Sequence, residues 1–217
     1  MDLVSWISPL LIHETRMDQS SLIIKMTSNS KRDVLGYTIR PASAEDIPSV
    51  LWMIQLFAEH QNEPCALEIM KVGEKELLRD GFGKEKYFRL LVAELNSDPQ
   101  ESTYPPDLRS SKMVRNERLV GYALYFFNYS TWEGRVLYLE DLFVRQQYRN
   151  IGLGTAFIRE CAKVAKTKDR RRMVWQVLDS NTKAFDLYER IGGKCLREWL
   201  TIRMDKKGME NFISSSE

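Results

Sequence analysis

Apolar positions along this chain fall into two rhythms. Behind Ser43, residues Ile47, Val50, Leu51, Ile54, Phe57 and Ala58 recur at three- and four-residue steps and share one helical face. Ser43, with Asp46 three residues on, is close to a capping box that would start that helix. The same rhythm returns in Leu153, Ala156, Phe157, Cys161, Val164 and Ala165, and again in Ala184, Leu187, Tyr188 and Ile191, where Gly192-Gly193 stops it. Glu74 to Asp80 predicts a shorter helix ended by Gly81. Strand patterns cover Tyr37 to Arg40, Tyr87 to Leu95, Leu119 to Tyr129, Arg135 to Val144, Met173 to Val177 and Leu196 to Met204. Thr131-Trp132-Glu133-Gly134 reads as a turn. Strands and helices mix without strict alternation, so the predicted class is α+β (mixed α/β), a sheet covered by helices on both faces.

The rhythm is absent from residues 1–36, which are expected to form a flexible N-terminal arm ahead of a domain at 37–206 and a C-terminal tail at 207–217. Asn96 to Glu117 is polar, carries three prolines and is expected as a long loop. The apolar patch Val4 to Ile12 is broken by Pro9 and too short to span a bilayer, and Asp2 sits where a signal peptide would be positive. No membrane partner is therefore expected. With 217 residues, 43% of them hydrophobic, the chain suits one packed domain. Its 32 basic and 30 acidic residues balance to +2, which gives no push toward nucleic acid. Cys65, Cys161 and Cys195 are odd in number and well separated, so a reducing, cytoplasmic setting is expected rather than a disulfide framework. With only His13 and His60, no metal site is expected either.

Candidate chemistry concentrates in one strand, the loop after it and the helix that follows. Gly152 and Gly154 in Arg149-Asn150-Ile151-Gly152-Leu153-Gly154-Thr155 let a ligand approach main-chain amides at a helix N-terminus, where partial positive charge favours an anion. Arg149 adds a full charge and a planar donor fork, so the loop looks built for a pyrophosphate. The plain alternative is a tight loop whose glycines serve geometry alone. No Lys-Ser or Lys-Thr follows, which excludes a Walker loop. The strand before it, Val136 to Val144, is apolar except for Glu140 and Asp141. Alternation sends these two carboxylates to opposite faces, and burying either one unpaired is costly. Each therefore has a structural partner such as an arginine, or at least one lines a polar cleft.

Arg149-Asn150-Ile151-Gly152-Leu153-Gly154 resembles the Arg/Gln-x-x-Gly-x-Gly/Ala motif of the GNAT N-acetyltransferases. Asp80-Gly81-Phe82-Gly83, Leu137-Tyr138-Leu139-Glu140-Asp141, Tyr148-Arg149, and Asn181 with Tyr188 seven residues on resemble its spermidine/spermine (diamine) acetyltransferase subfamily. Tyr129-Ser130-Thr131-Trp132 followed by Gly134-Arg135 is similar to the thialysine acetyltransferase branch. The likeness spans about Tyr37 to Met204. It implies the GNAT fold, a central twisted mixed sheet with helices on both faces, and acetyl-CoA as cosubstrate. It also implies a homodimer with sites near the subunit interface.

By that resemblance the backbone of Leu142, Phe143 and Val144 holds the pantetheine arm. Arg149 and the amides of Asn150, Ile151, Gly152, Leu153, Gly154 and Thr155 hold the pyrophosphate, and Asn181 and Lys183 touch the cofactor again. Tyr188 matches the general acid; Glu140 matches a substrate-binding carboxylate that also acts, through water, as base. Trp132, Asp141 and Glu198 complete the substrate set. The chain departs from polyamine-specific members at Gln61 and Ser130, where they carry acidic residues, and it is shorter between Gly192 and Trp199.

These assignments fit the chemistry. An alkylamine with a pKa near ~10.4 is protonated at neutral pH and must lose a proton before attack. Glu140 would attract the ammonium, a main-chain N–H near Leu142 would meet the developing oxyanion, and Tyr188 would protonate the departing thiolate. Position alone reads Tyr188 as core, Trp132 as turn packing and the basic run Lys166 to Arg172 as a solvated helix end. Two other functions share the pattern: acetylation of a protein lysine or N-terminus, and a non-catalytic CoA-binding module.

Overall fold

Five of the six strand-patterned segments meet in one sheet. The computed structural model describes residues 36–60, 70–99 and 116–215. Strands β1 (Tyr37–Pro41), β2 (Arg89–Leu95), β3 (Leu119–Ser130), β4 (Gly134–Val144) and β5 (Arg172–Trp175) lie across the sheet in chain order. β1 to β4 pair antiparallel and β5 joins β4 in parallel. Parallel neighbours need a crossover. After helices α1 (Ile47–His60) and α2 (Glu74–Phe82), the crossover is α3 (Leu153–Thr167). The expected arm, Gln61, Cys65 and the middle of the loop before β3 lie outside the described residues.

Helices cover both faces, as the two rhythms require. Tyr122 and Phe143 join Ile47, Val50 and Met53 of α1 in one buried cluster. On the other face Gly121, the neighbour of Tyr122, admits Phe157 of α3: a Cβ on Gly121 would sit 2.7 Å from the Phe143 carbonyl oxygen and 3.1 Å from the Phe157 ring. Gly121→Val is therefore expected to destabilise the fold by about 2 kcal/mol through overpacking. Denaturant unfolding checks this; an unchanged midpoint would show that the close approach is easily relieved.

The Ser43 cap forms as its sequence predicts, on a 3₁₀ turn, Ala44–Asp46, that leads straight into α1. The Ser43 N–H donates to Asp46 Oδ2 at 2.8 Å, and Arg40 binds that carboxylate at 2.7 Å while its Nε reaches Glu94 at 2.7 Å. Gly81 corrects the reading of α2. The helix runs on through it to Phe82, with Gly83 as its C-cap. A Cβ on Gly81 would come within 2.6 Å of the Phe88 ring, so this glycine serves packing and not termination.

Residues from Gln176 onward form a second compact unit. It holds α4 (Thr182–Arg190) and α5 (Lys206–Ser214). The strand expected over Leu196 to Met204 is absent: these residues have no regular structure beyond a turn at 197–198. An alternating pattern shows which side chains seek burial, whereas a strand also needs a neighbour to take its hydrogen bonds. Within this unit none pairs with it, and Leu200 and Ile202 are 82% and 88% exposed.

Candidate active site

β4 carries the candidate residues past the end of its parallel neighbour. Pairing with β5 stops at Leu139↔Trp175, while β4 continues to Val144. On its other side the register skips one residue: Leu124 opposes Asp141 and Tyr125 opposes Leu139. Glu140 is thus the extra residue of a β-bulge, a device that re-aims a side chain. The bulge breaks the strict alternation expected for Glu140 and Asp141. Glu140 is exposed and, among the described residues, makes no hydrogen bond or ion pair.

Asp141 is half-buried, and its partner is a tyrosine where an arginine was one expectation. Tyr122 Oη donates to Asp141 Oδ2 at 3.1 Å. Burial pushes the Asp141 carboxyl up to about 6, the Tyr122 hydrogen bond pulls it down, and the charge of Glu140 raises it. Burial and the adjacent Asp141 hold the Tyr122 hydroxyl well above the usual tyrosine range.

The turn after β4 is pinned from below. Arg145, fully buried, donates to the Leu119 carbonyl at 3.2 Å and stacks between the rings of Trp52 and Tyr148, at 5.1 and 5.4 Å. This fixes the single 3₁₀ turn Gln146–Tyr148 that hands the chain to Arg149. Arg149 Nε then donates to the Val144 carbonyl at 2.8 Å, with its guanidinium 5.7 Å from the Phe143 ring. Asn150 (φ 63°) and Gly152 (φ 88°) are left-handed, and Gly152 is the N-cap of α3 without a side-chain cap. The first amides of α3 therefore keep their donor capacity and the positive helix end. A Cβ on Gly152 or Gly154 would meet no protein atom within 4 Å. An uncapped helix start, two bare glycines and an adjacent arginine fit a diphosphate.

Neither Tyr122 nor Arg145 was legible as a site residue. Each acts through a partner many residues away, which only the strand register brings close. Trp132 is not brought to the acidic pair. It stands in the turn before Gly134, 84% exposed, six residues of strand from Glu140, or about 20 Å at the usual rise. Ser130 has a local duty there: its Oγ accepts the N–H groups of Trp132 and Glu133 at 3.3 and 3.2 Å.

In the second unit, Asn181 is the N-cap of α4, its Oδ1 accepting from the Ala184 N–H at 3.2 Å. Lys183 is exposed, and Tyr188 on the same helix is half-buried, which raises its hydroxyl above the usual range. Glu198 is exposed in the irregular segment. The basic run begins at the far end of α3, about 22 Å from the glycine loop at 1.5 Å per residue. There Arg170 covers the Phe127 ring at 4.2 Å and Arg172 pairs with Glu133 at 3.2 Å. Cys161 is buried, its thiol pushed up to about 12 chiefly by burial, so it is no ready nucleophile.

Residues 75–193 match the Acetyltransferase (GNAT) family. The chain belongs to the GNAT acetyltransferases. It is 36% identical over 177 residues to thialysine N-epsilon-acetyltransferase of Bos taurus, covering 80% of this chain and 95% of that protein. It is 33% identical over 152 residues to spermidine/spermine N(1)-acetyltransferase-like protein 1 of Homo sapiens, covering 70% of this chain and 20% of that one. Among solved structures, an integron cassette protein of V. cholerae superposes with a TM-score of 0.59 at 18% identity, covering 82% of this chain and 97% of that chain, a likeness of fold alone. This GNAT chain is an N-acetyltransferase. Among its described residues no helix is long and apolar enough to cross a membrane.

Proposed function

We propose that this GNAT enzyme moves an acetyl group from acetyl-CoA to the primary amine of a small molecule, a thialysine- or lysine-like amine or a polyamine, by direct attack. One observation carries the reading: a bulge turns Glu140 outward beside half-buried Asp141, on the strand that leads into a glycine-opened helix start. Negative charge for an ammonium and amide donors for a diphosphate then sit on one continuous stretch of chain. The names of the curated relatives point to the same acceptors.

Acetyl-CoA supplies the acetyl group as an activated thioester. Arg149 and the amides from Asn150 to Thr155 are assigned to its pyrophosphate, the backbone of Leu142 to Val144 to its pantetheine arm, and Asn181 and Lys183 to a further cofactor contact. Glu140 attracts the ammonium and passes its proton to water; Tyr188 gives a proton to the leaving sulfur. Trp132, Asp141 and Glu198 bind the amine, with the Trp132 ring facing its cation.

The working form is proposed to be a homodimer in the cytoplasm. Trp132, exposed and about 20 Å along the strand from Glu140 of its own chain, would serve the partner's site. The exposed apolar row of Leu196, Trp199, Leu200 and Ile202 would find cover between subunits.

Acetyl-CoA turnover against thialysine, lysine, putrescine, spermidine, spermine and a lysine-bearing peptide tests the reading. Thialysine or lysine is expected to give the highest kcat/KM, since Gln61 and Ser130 remove negative charge that a polyamine would use. Preference for spermine would overturn that assignment. Turnover of the peptide alone would replace the small-molecule reading with a protein acetyltransferase.

A further inference from the structure

A polar group in the core beneath the site has a single described partner. Tyr122 is fully buried, its ring 6.1 Å from that of Phe143 in the cluster under α1. A phenylalanine would fill the same space with no hydroxyl to desolvate, and a buried hydroxyl is costly unless it is bonded. The one hydrogen bond described for this hydroxyl runs to Asp141 Oδ2, at 3.1 Å. Asp141 follows the bulged Glu140 directly, so the bond fixes the carboxylate beside the one turned to solvent.

We propose that Tyr122 is a positioning residue: its hydroxyl orients the Asp141 carboxylate and keeps it ionised, so that the amine site presents two negative charges instead of one. The proposal rests on the amine-acetyltransferase reading above. Its logic is a contest at one carboxyl. Burial and the neighbouring charge of Glu140 on β4 both favour neutral Asp141, and the donor from Tyr122 on β3 favours the anion. Among the described residues those are the groups acting on Asp141. The Tyr122 hydroxyl is itself held far above the usual range, so at neutral pH it stays an O–H that donates. With the carboxyl poised near 6, loss of that donor moves its titration up toward neutral pH.

Tyr122→Phe is the test, because it removes the hydroxyl and keeps the ring. The Asp141 carboxyl is followed by carbon-13 NMR in the full chain, its signal assigned by its loss in Asp141→Asn. The wild-type midpoint is expected near 6 and the Tyr122→Phe midpoint about one unit higher. In turnover, the acid limb of kcat/KM for a cationic amine should move up in step. Activity of Tyr122→Phe should recover at high pH, which a merely structural defect would not show. Tyr122→Phe added to Asp141→Asn should change nothing further. A wild-type midpoint at the ordinary carboxylate value near ~4 overturns the proposal whether or not the variant folds. So does an unshifted midpoint in a folded Tyr122→Phe. The NMR titration needs no amine, so its result stands apart from the substrate reading, which the turnover panel alone decides.

Discussion

Tyr188→Phe lowers kcat by about a hundredfold and leaves CoA affinity within roughly a factor of two, the low end of what a lost general acid costs. The thiolate leaving a thioester needs a proton or a hydrogen bond as the bond breaks, and phenylalanine can give neither. A hundredfold is about 2.7 kcal/mol of transition-state stabilisation. CoA affinity should hold because Tyr188 is assigned to the leaving sulfur alone, and the groups assigned to CoA on β4, at the start of α3 and at Asn181 and Lys183 are unchanged in the variant. Burial raises the Tyr188 hydroxyl pKa, so the acid stays protonated at neutral pH. A group needed in its protonated form loses function as pH rises through its pKa, so the alkaline limb of kcat should lie above the ordinary tyrosine range and vanish in the variant. Steady-state kinetics with calorimetry of CoA binding decide it. Turnover at the wild-type rate would remove Tyr188 from the mechanism.

Gly154→Val weakens CoA binding by at least about a hundredfold, or ~2.7 kcal/mol, with the fold intact. A Cβ on Gly154 meets no atom within 4 Å beyond its chain neighbours and its own helix backbone, and Gly154 lies inside α3 without a left-handed backbone, so the fold should tolerate the change. In a helix every Cα–Cβ bond tilts toward the N-terminus. The valine methyls would therefore lean over the first-turn amides and stand where a diphosphate must approach them. Calorimetric titration with CoA, beside a thermal melt of the variant, separates the two effects. Full CoA affinity in Gly154→Val would place the diphosphate elsewhere.

Several local shapes were legible from spacing along one segment. The α1 face from Ile47 to Phe57, the Ser43–Asp46 cap and the Arg149–Gly154 loop each depend on residues within a few positions of one another. Features that depend on register between strands were hidden. The bulge at Glu140 exists only relative to Leu124 and Tyr125 on β3, and Asp141 meets Tyr122 nineteen residues away. Glycine was ambiguous for a related reason: Gly81 and Gly152 look alike as letters, yet one makes room for Phe88 and the other takes a left-handed backbone. Leu196 to Met204 misled because its alternation records a wish for burial and says nothing of a pairing partner.

Because sheet order equals chain order, each strand is laid beside the one synthesised just before it. The β3–β4 hairpin closes through a three-residue turn and pays little loop entropy, so it can form early. β5 docks only after α3 has crossed back, through four residue pairs. The groups assigned to CoA on β4 begin just past that last and shortest seam. Amides of β5 should therefore exchange with solvent faster than those of β3, and CoA should slow them most.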